Sequence, residues 1–194
     1  TNDDGVTAPG LLALAQALSE LGQVSILAPD RNWSASGHVK TLHRPLRVRE
    51  IELPGGIKAF SSDGAPSDCV ALAVLGLLPG KIDLVVSGIN PNANLGHDVT
   101  YSGTVTAAME AAIWHIPGIA VSLDSPRQKG IVLDYSTAAQ VGMRVARAVL
   151  ENRLPDGVVL NVNVPYRPFA ELQGLALTRQ GLRVYRDELV VRED

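Results

Sequence analysis

The chain has 194 residues and a formal net charge of −3 at pH 7, with 46% of its residues hydrophobic and 19% charged. That is length enough for one substantial domain with a buried core, and its charge balance offers no basic patch to nucleic acid or to a membrane surface. Cys69 is the only cysteine, so no intrachain disulfide forms and a reducing cytoplasm is the expected compartment; neither a signal peptide nor a membrane span is expected.

The first residues, Thr1-Asn2-Asp3-Asp4-Gly5, read as a loop that follows a strand, and that strand is expected ahead of Thr1. Pro9 and Gly10 open a helix to about Glu20, apolar at Leu11, Leu14, Ala15 and Leu18. Val24 to Ala28 is a buried strand ended by Pro29-Asp30, and a polar loop runs from Arg31 to His38. Leu46–Arg49 and Ile57–Phe60 flank the Pro54-Gly55-Gly56 turn as strands, with one face in water. Pro66 suits the first position of a second helix through Leu75. Strand Ile82–Ser87, a Gly/Asn-rich loop Gly88–Tyr101, helix Gly103–His115 and strand Ile119–Leu123 follow. A helix from about Tyr135 to Leu150 and a strand Val158–Asn163 complete the alternation.

Repeated strand, loop and helix units predict an α/β fold, doubly wound on a mostly parallel, Rossmann-like sheet. The core is expected over 1–170. Residues 171–194, alternating from Leu175 onward, read as the start of a β-rich C-terminal extension with an oligomer contact.

Chemistry concentrates in loops at the expected strand ends, where such sheets place ligands. Asp3 and Asp4 are adjacent carboxylates that repel each other and resist dehydration; a hard divalent cation such as Mg²⁺ or Mn²⁺ relieves both problems. A solvated Asn-Asp turn explains the same residues without a metal. Ser102-Gly103-Thr104 opens a helix and would present free N–H groups and hydroxyls to a phosphate, although Ser102 also suits a simple helix cap. The Asn-rich loop around Asn90 and Asn94 offers amide oxygens to a metal and N–H groups to a phosphate.

Several segments stand in a telling order: TNDDG at 1–5, Ala28-Pro29-Asp30-Arg31-Asn32 with Ser34, Ser34 to His38, and Pro66 to Val70. SGIN at 87–90, NLG at 94–96, Tyr101 to Glu110 and LNVNVP at 160–165 follow. Together they resemble the SurE family (survival protein E), metal-dependent nucleoside-monophosphate phosphatases. The resemblance implies one divalent cation per subunit, Mg or Mn, held by Asp3, Asp4, Ser34 and Asn90, with Asp3 and Asp4 as the catalytic pair. It implies that Asn94, Ser102, Gly103 and Thr104 face the phosphate, with Asn2 orienting the loop and His38 as a candidate acid, base or phosphate contact.

The implied reaction is hydrolysis of nucleoside 5′-monophosphates, with 3′-monophosphates as a second class, by a water the cation activates. The implied assembly is a homodimer or tetramer. Two positions depart from the family pattern. Asn92 stands for a Gly in GIN-x-G-x-N, and Ala65 stands for the Thr of Gly-Thr-Pro, removing a capping hydroxyl. A haloacid-dehalogenase-type phosphatase needs Asp-x-Asp, and the adjacency of Asp3 and Asp4 argues against it. A non-catalytic metal- and nucleotide-binding regulatory module is the alternative reading.

Overall fold

Apolar alternation and small residues set the layers of this fold, which a computed structural model describes over residues 1–126, 130–182, 184–185 and 189–192. The strands of the described residues form two ladders. In one, β1 (Leu27–Pro29) runs parallel to β3 (Ile57–Ser62), and β3 pairs antiparallel with β2 (Val48–Leu53). In the other, β4 (Val85–Asn90), β5 (Gly118–Asp124) and β6 (Val159–Pro165) are all parallel, with β5 in the middle.

The period-2 alternation of β5 assigns the helices to faces. Ile119, Val121 and Leu123 join Leu14 of α1 (Pro9–Leu18) and Ala138, Val141, Val145 and Val149 of α5 (Ser136–Asn152) in one cluster. Ala120, between them, packs instead on Val105 and Ala108 of α4 (Gly103–Ile113). A β-carbon at Gly118 would stand 2.2 Å from the Ala108 carbonyl oxygen, so small residues let α4 lie close on the sheet. With α2 (Pro66–Leu72) packed against α4 through Val70, Ala107 and Ala111, helices cover both faces. This is the doubly wound α/β fold expected, carried on two ladders instead of one continuous sheet.

Between the ladders lies a slot of about 440 Å³, lined in part by Leu11, Leu14, Ile26, Leu27 and Val86. Thr1 enters it: its backbone nitrogen donates to the Val86 carbonyl at 3.2 Å, and its carbonyl accepts from Gly88 N–H at 2.9 Å. This is strand-like pairing with β4.

Element boundaries differ from the sequence reading in ways that matter for the site. β4 begins at Val85, not Ile82, and continues to Asn90, so Gly88, Ile89 and Asn90 belong to the strand. Gly88 makes this feasible, because a β-carbon there would stand 2.3 Å from the Val121 carbonyl oxygen of β5; the Gly88–Ile89 peptide is cis. The loop read as continuous to Tyr101 contains a single helical turn, α3 (Asp98–Tyr101). The second helix ends at Leu72 and passes into a π-turn, Ala73–Leu77, broken by Gly76 at φ 103°.

Beyond a 3-10 turn at Phe169–Glu171, the described residues of the segment read as β contain no strand. A ladder needs a partner strand for its N–H and C=O groups, and no described residue there takes part in one. Leu175, Leu177, Leu182, Leu189, Val190 and Val191 are all exposed. Residues 183, 186–188 and 193–194 of that expected extension lie outside the described residues.

Candidate metal and phosphate site

Asn2, fully buried, donates through Nδ2 to the Gly5 carbonyl at 3.0 Å and closes the turn that carries the carboxylates. Gly5 takes φ 104°, the left-handed backbone such a turn needs. Val6 N–H bonds to the Pro29 carbonyl at 2.8 Å and Trp33 N–H to the Asp3 carbonyl at 2.7 Å, so the turn and the loop after β1 are tied together. Asn2 thus bonds within its own loop.

Asp3 is buried, and its Oδ1 accepts a 2.5 Å hydrogen bond from the Thr104 hydroxyl. Gly103 lies against the same side chain: a β-carbon at 103 would stand 2.7 Å from Asp3 Cβ. The start of α4 is thus pressed onto the first carboxylate, an approach only glycine allows. Thr104 is itself fully buried, so its hydroxyl serves Asp3 in this structure. Ser102 accepts from Val105 N–H at 3.1 Å as the N-cap of α4. The N–H groups of Gly103 and Thr104 fall in the first turn, where no intrahelical acceptor exists.

Asp4 has one carboxylate oxygen, Oδ2, buried with no partner, while Oδ1 has only a long 3.5 Å contact from Asn32 Nδ2. Burial, and secondarily the neighbouring Asp3 charge, push its pKa up to about 7. Ser34 is exposed, its N–H bonded to Asn32 Oδ1 at 2.7 Å. Asn90 closes β4 and donates through Nδ2 to the Asn92 carbonyl. Asp3, Ser34, Asn90, Asn94 and Ser102 all line one cavity of about 1270 Å³ at the C-terminal end of the parallel strands.

Two carboxylates, a hydroxyl and an amide make an all-oxygen donor set, which fits a hard divalent cation. The orphaned Asp4 oxygen and its raised pKa fit it too, because a cation satisfies the first and removes the second. Among the described residues no group of three or more His, Cys, Asp or Glu side chains gathers that could hold a metal.

The structure takes His38 elsewhere. Its Nε2 lies 2.9 Å from Oε2 of Glu110, a buried carboxylate on α4 that also receives Lys40 and, at 2.9 Å, Trp114 Nε1–H. Burial raises the Glu110 pKa, but the bonds from Lys40, His38 and Trp114 outweigh it and hold the group below its ordinary value. Thr106 Oγ1 donates to the Gly37 carbonyl at 3.1 Å, and Gly37 N–H donates to the Tyr101 carbonyl at 2.9 Å. The loop that carries Ser34 is thereby stitched to α3 and α4. Trp33, in the same loop, is covered by the Arg31 guanidinium at 4.9 Å from its ring centroid.

The family model described as survival protein SurE matches residues 1–187. The chain belongs to the SurE family. It is 52% identical to the 5′-nucleotidase SurE of Herpetosiphon aurantiacus over all of its own length and 75% of that relative's. It is also 52% identical to the protein of that name from Chloroflexus aggregans, over all of its length and 76% of the relative's. The crystal structure of the SurE protein from Aquifex aeolicus superposes with a TM-score of 0.84 at 42% identity, covering 95% of this chain and 72% of that one.

Both departures from the SurE pattern are accommodated locally. Asn92 is not among the residues with positive φ, so no glycine is required, and its carbonyl simply accepts from Asn90. At Ala65 the missing hydroxyl is offset by Asp68, whose Oδ2 accepts the Ala65 N–H at 2.9 Å. Asp68 is held in turn by Thr41 N–H at 2.9 Å and the Thr41 hydroxyl at 2.7 Å.

Sequence reading assigned no role to Glu110, Ser122, Asn161 or Asn163, yet all four bond to loops that carry candidate residues. Asn94 N–H donates to Asn163 Oδ1 at 2.8 Å and Asn94 Nδ2 to Ser122 Oγ at 2.8 Å. A carboxylate amid Ala107, Ala108 and Ala111, and two asparagines two apart in an apolar strand, were the available signals.

Proposed function

We propose that this SurE-family chain is a divalent-metal-dependent phosphomonoesterase that hydrolyses nucleoside 5′-monophosphates, and 3′-monophosphates as a second class. The observation that carries the reading is the contact between the two halves of the site: Thr104 donates to Asp3 at 2.5 Å, so a cation-binding carboxylate and a helix N-terminus meet at one point. The names of the relatives, 5′-nucleotidase SurE, support the same reaction.

Asp3, Asp4, Ser34 and Asn90 would hold one Mg²⁺ or Mn²⁺ per subunit. When bound, the cation polarises the phosphoryl group and supplies an acidified water as nucleophile. Ser102, Gly103 and Thr104 aim the first-turn N–H groups of α4 at the phosphate, and Asn94 is its further contact. Thr104 fixes the Asp3 carboxylate, and His38 holds its loop through Glu110. Leu177, Leu182 and Tyr185 line the far side of the cavity, where the nucleoside would lie.

Residues 171–194 begin an extension whose exposed leucines and valines would be covered in a homodimer or tetramer. Light scattering at micromolar concentration tests this, and a monomer mass would oppose it. No helix of the described residues is long and apolar enough to cross a membrane, and the single cysteine suits the cytoplasm.

A substrate panel tests the activity: nucleoside 5′- and 3′-monophosphates, an aryl phosphate and short polyphosphate, each with Mn²⁺ or Mg²⁺. Phosphate release fastest from a nucleoside monophosphate supports the reading. No release from any nucleotide with either ion would overturn it.

A further inference from the structure

The LNVNVP segment has no part in the chemistry proposed above, yet its geometry is specific. In β6 the alternation sends Leu160, Val162 and Val164 into the core cluster beneath α1 and α5. Asn161 and Asn163 therefore face the other way, on the α4 side, with Ala120 and Ser122 opposite them in the β5 register. Val159 on that same face packs on α4. Beyond the start of α4 the sheet face is roofed by the loop that follows β4.

A loop lying on a sheet must find partners for its backbone, and Asn94 finds them in these side chains. Its N–H donates to Asn163 Oδ1 at 2.8 Å, and its carbonyl accepts from Asn163 Nδ2 at 3.2 Å and from Asn161 Nδ2 at 2.9 Å. The Asn163 carboxamide thus pairs with both polar groups of one residue, as a neighbouring strand would. Ser122 takes the Asn94 side-chain Nδ2–H, leaving the amide oxygen as the end not engaged by that bond. Asn94 is held at its N–H, its carbonyl and its side chain, four residues after Asn90.

We propose that Asn163, supported by Asn161, is a positioning residue that sets the Asn90–Asn94 loop over the end of the sheet and so places the ligands that loop carries. The inference rests on that loop's part in the proposed phosphatase site. Only a side chain with a donor and an acceptor in one plane makes this pairing. Aspartate reproduces it when protonated and opposes it when ionised, because a carboxylate faces the Asn94 carbonyl with no hydrogen to donate.

The test uses Asn163→Leu and Asn163→Asp in the full chain with Mn²⁺. Hydrogen exchange at the Asn94 amide reads the clamp without reference to activity; in Asn163→Leu it becomes at least about tenfold faster while Val121 in β5 keeps its protection. The kcat/KM for a nucleoside 5′-monophosphate falls about 10- to 100-fold, the range for residues that orient ligands from behind. In Asn163→Asp the ratio of its kcat/KM to that of the wild type rises as pH falls and the new carboxyl is protonated. A merely structural role for residue 163 would not give that acid-side rescue.

An Asn94 amide that exchanges equally fast in wild type and Asn163→Leu overturns the proposal. So does an Asn163→Leu variant with faster exchange but kcat/KM within threefold of wild type, or an Asn163→Asp ratio flat with pH. A wild-type protein inactive on every nucleotide would instead overturn the phosphatase reading and with it the catalytic meaning of the clamp, while exchange still decides whether the clamp exists.

Discussion

Adding one methyl group at residue 103 should separate the fate of the site from the fate of the fold. In Gly103→Ala the new β-carbon would stand 2.7 Å from Asp3 Cβ, 3.1 Å from Asp3 Oδ2 and 3.2 Å from Pro66 Cγ. Favourable carbon–carbon separation begins at about 3.5 Å, so Asp3 must recede by about 1 Å. Metal–ligand distances tolerate about 0.2 Å, and a 1 Å misplacement at a reacting centre costs about 100-fold in rate. Overpacking costs about 1–3 kcal/mol, partly offset by the preference of a helix for Ala over Gly, about 1 kcal/mol. At about 2–4 °C per kcal/mol for a chain of this size, Tm falls by no more than about 8 °C. At 25 °C the variant is then folded but impaired. Titration calorimetry with Mn²⁺, phosphate release and a thermal melt on the same preparation measure all three quantities. A folded Gly103→Ala protein with cation affinity and kcat/KM within threefold of wild type would refute the claim that α4 confines Asp3.

Three further outcomes follow from the same geometry. Asp4, with its pKa near 7 in the metal-free chain, carries a proton that a cation must displace. Apparent Mn²⁺ affinity should therefore fall about tenfold per pH unit below 7 and level off above it; titrations from pH 5.5 to 8.5 check this, and a flat profile opposes it. Thr104→Val keeps the volume and removes the donor to Asp3, so Mn²⁺ affinity should fall along with kcat/KM; an effect on nucleotide KM alone would return Thr104 to a pure substrate contact. Glu110 has a folded-state pKa below its ordinary value, so its contribution is fully present above the ordinary value and is lost as pH falls through the lowered one. Glu110→Gln should cost about 1–3 kcal/mol at pH 7 and progressively less in acid, read as a Tm difference from wild type that narrows with falling pH.

What could be read from the sequence was whatever residue type dictates locally. Asp3-Asp4, Asn90 and Ser102-Gly103-Thr104 stand out because charge and small polar residues gather at strand ends, and the fold does bring Asp3, Ser34, Asn90 and Ser102 to one cavity. The helix starts at Pro9 and Pro66 were equally plain, since proline suits a first turn. Partnerships across the chain were not readable. Nothing local says that the Thr104 hydroxyl turns inward to Asp3, 101 positions away, or that Glu110 gathers Lys40 and His38.

The start of β4 was misplaced because Ile82 and Leu84 are as apolar as Val85 and Val86; pairing with β5, not hydrophobicity, decides where the ladder begins. The alternation after Leu175 describes a strand's side chains but does not by itself supply a partner strand, and the described residues there form no strand. LNVNVP was visible as a pattern, but its meaning needed the register that sets Asn163 beside Ser122 and beneath Asn94.

The central claim is that Asp3, Asp4, Ser34 and Asn90 hold the cation on which phosphate release depends. It is tested most directly by stripping the protein with chelator, removing the chelator, and titrating Mn²⁺ back while following release from a nucleoside 5′-monophosphate. No release in the stripped protein and full recovery at about one cation per chain are expected, with Asp3→Asn failing to recover over the same range. Undiminished release from the stripped protein, or full recovery of Asp3→Asn at the wild-type cation concentration, would contradict it.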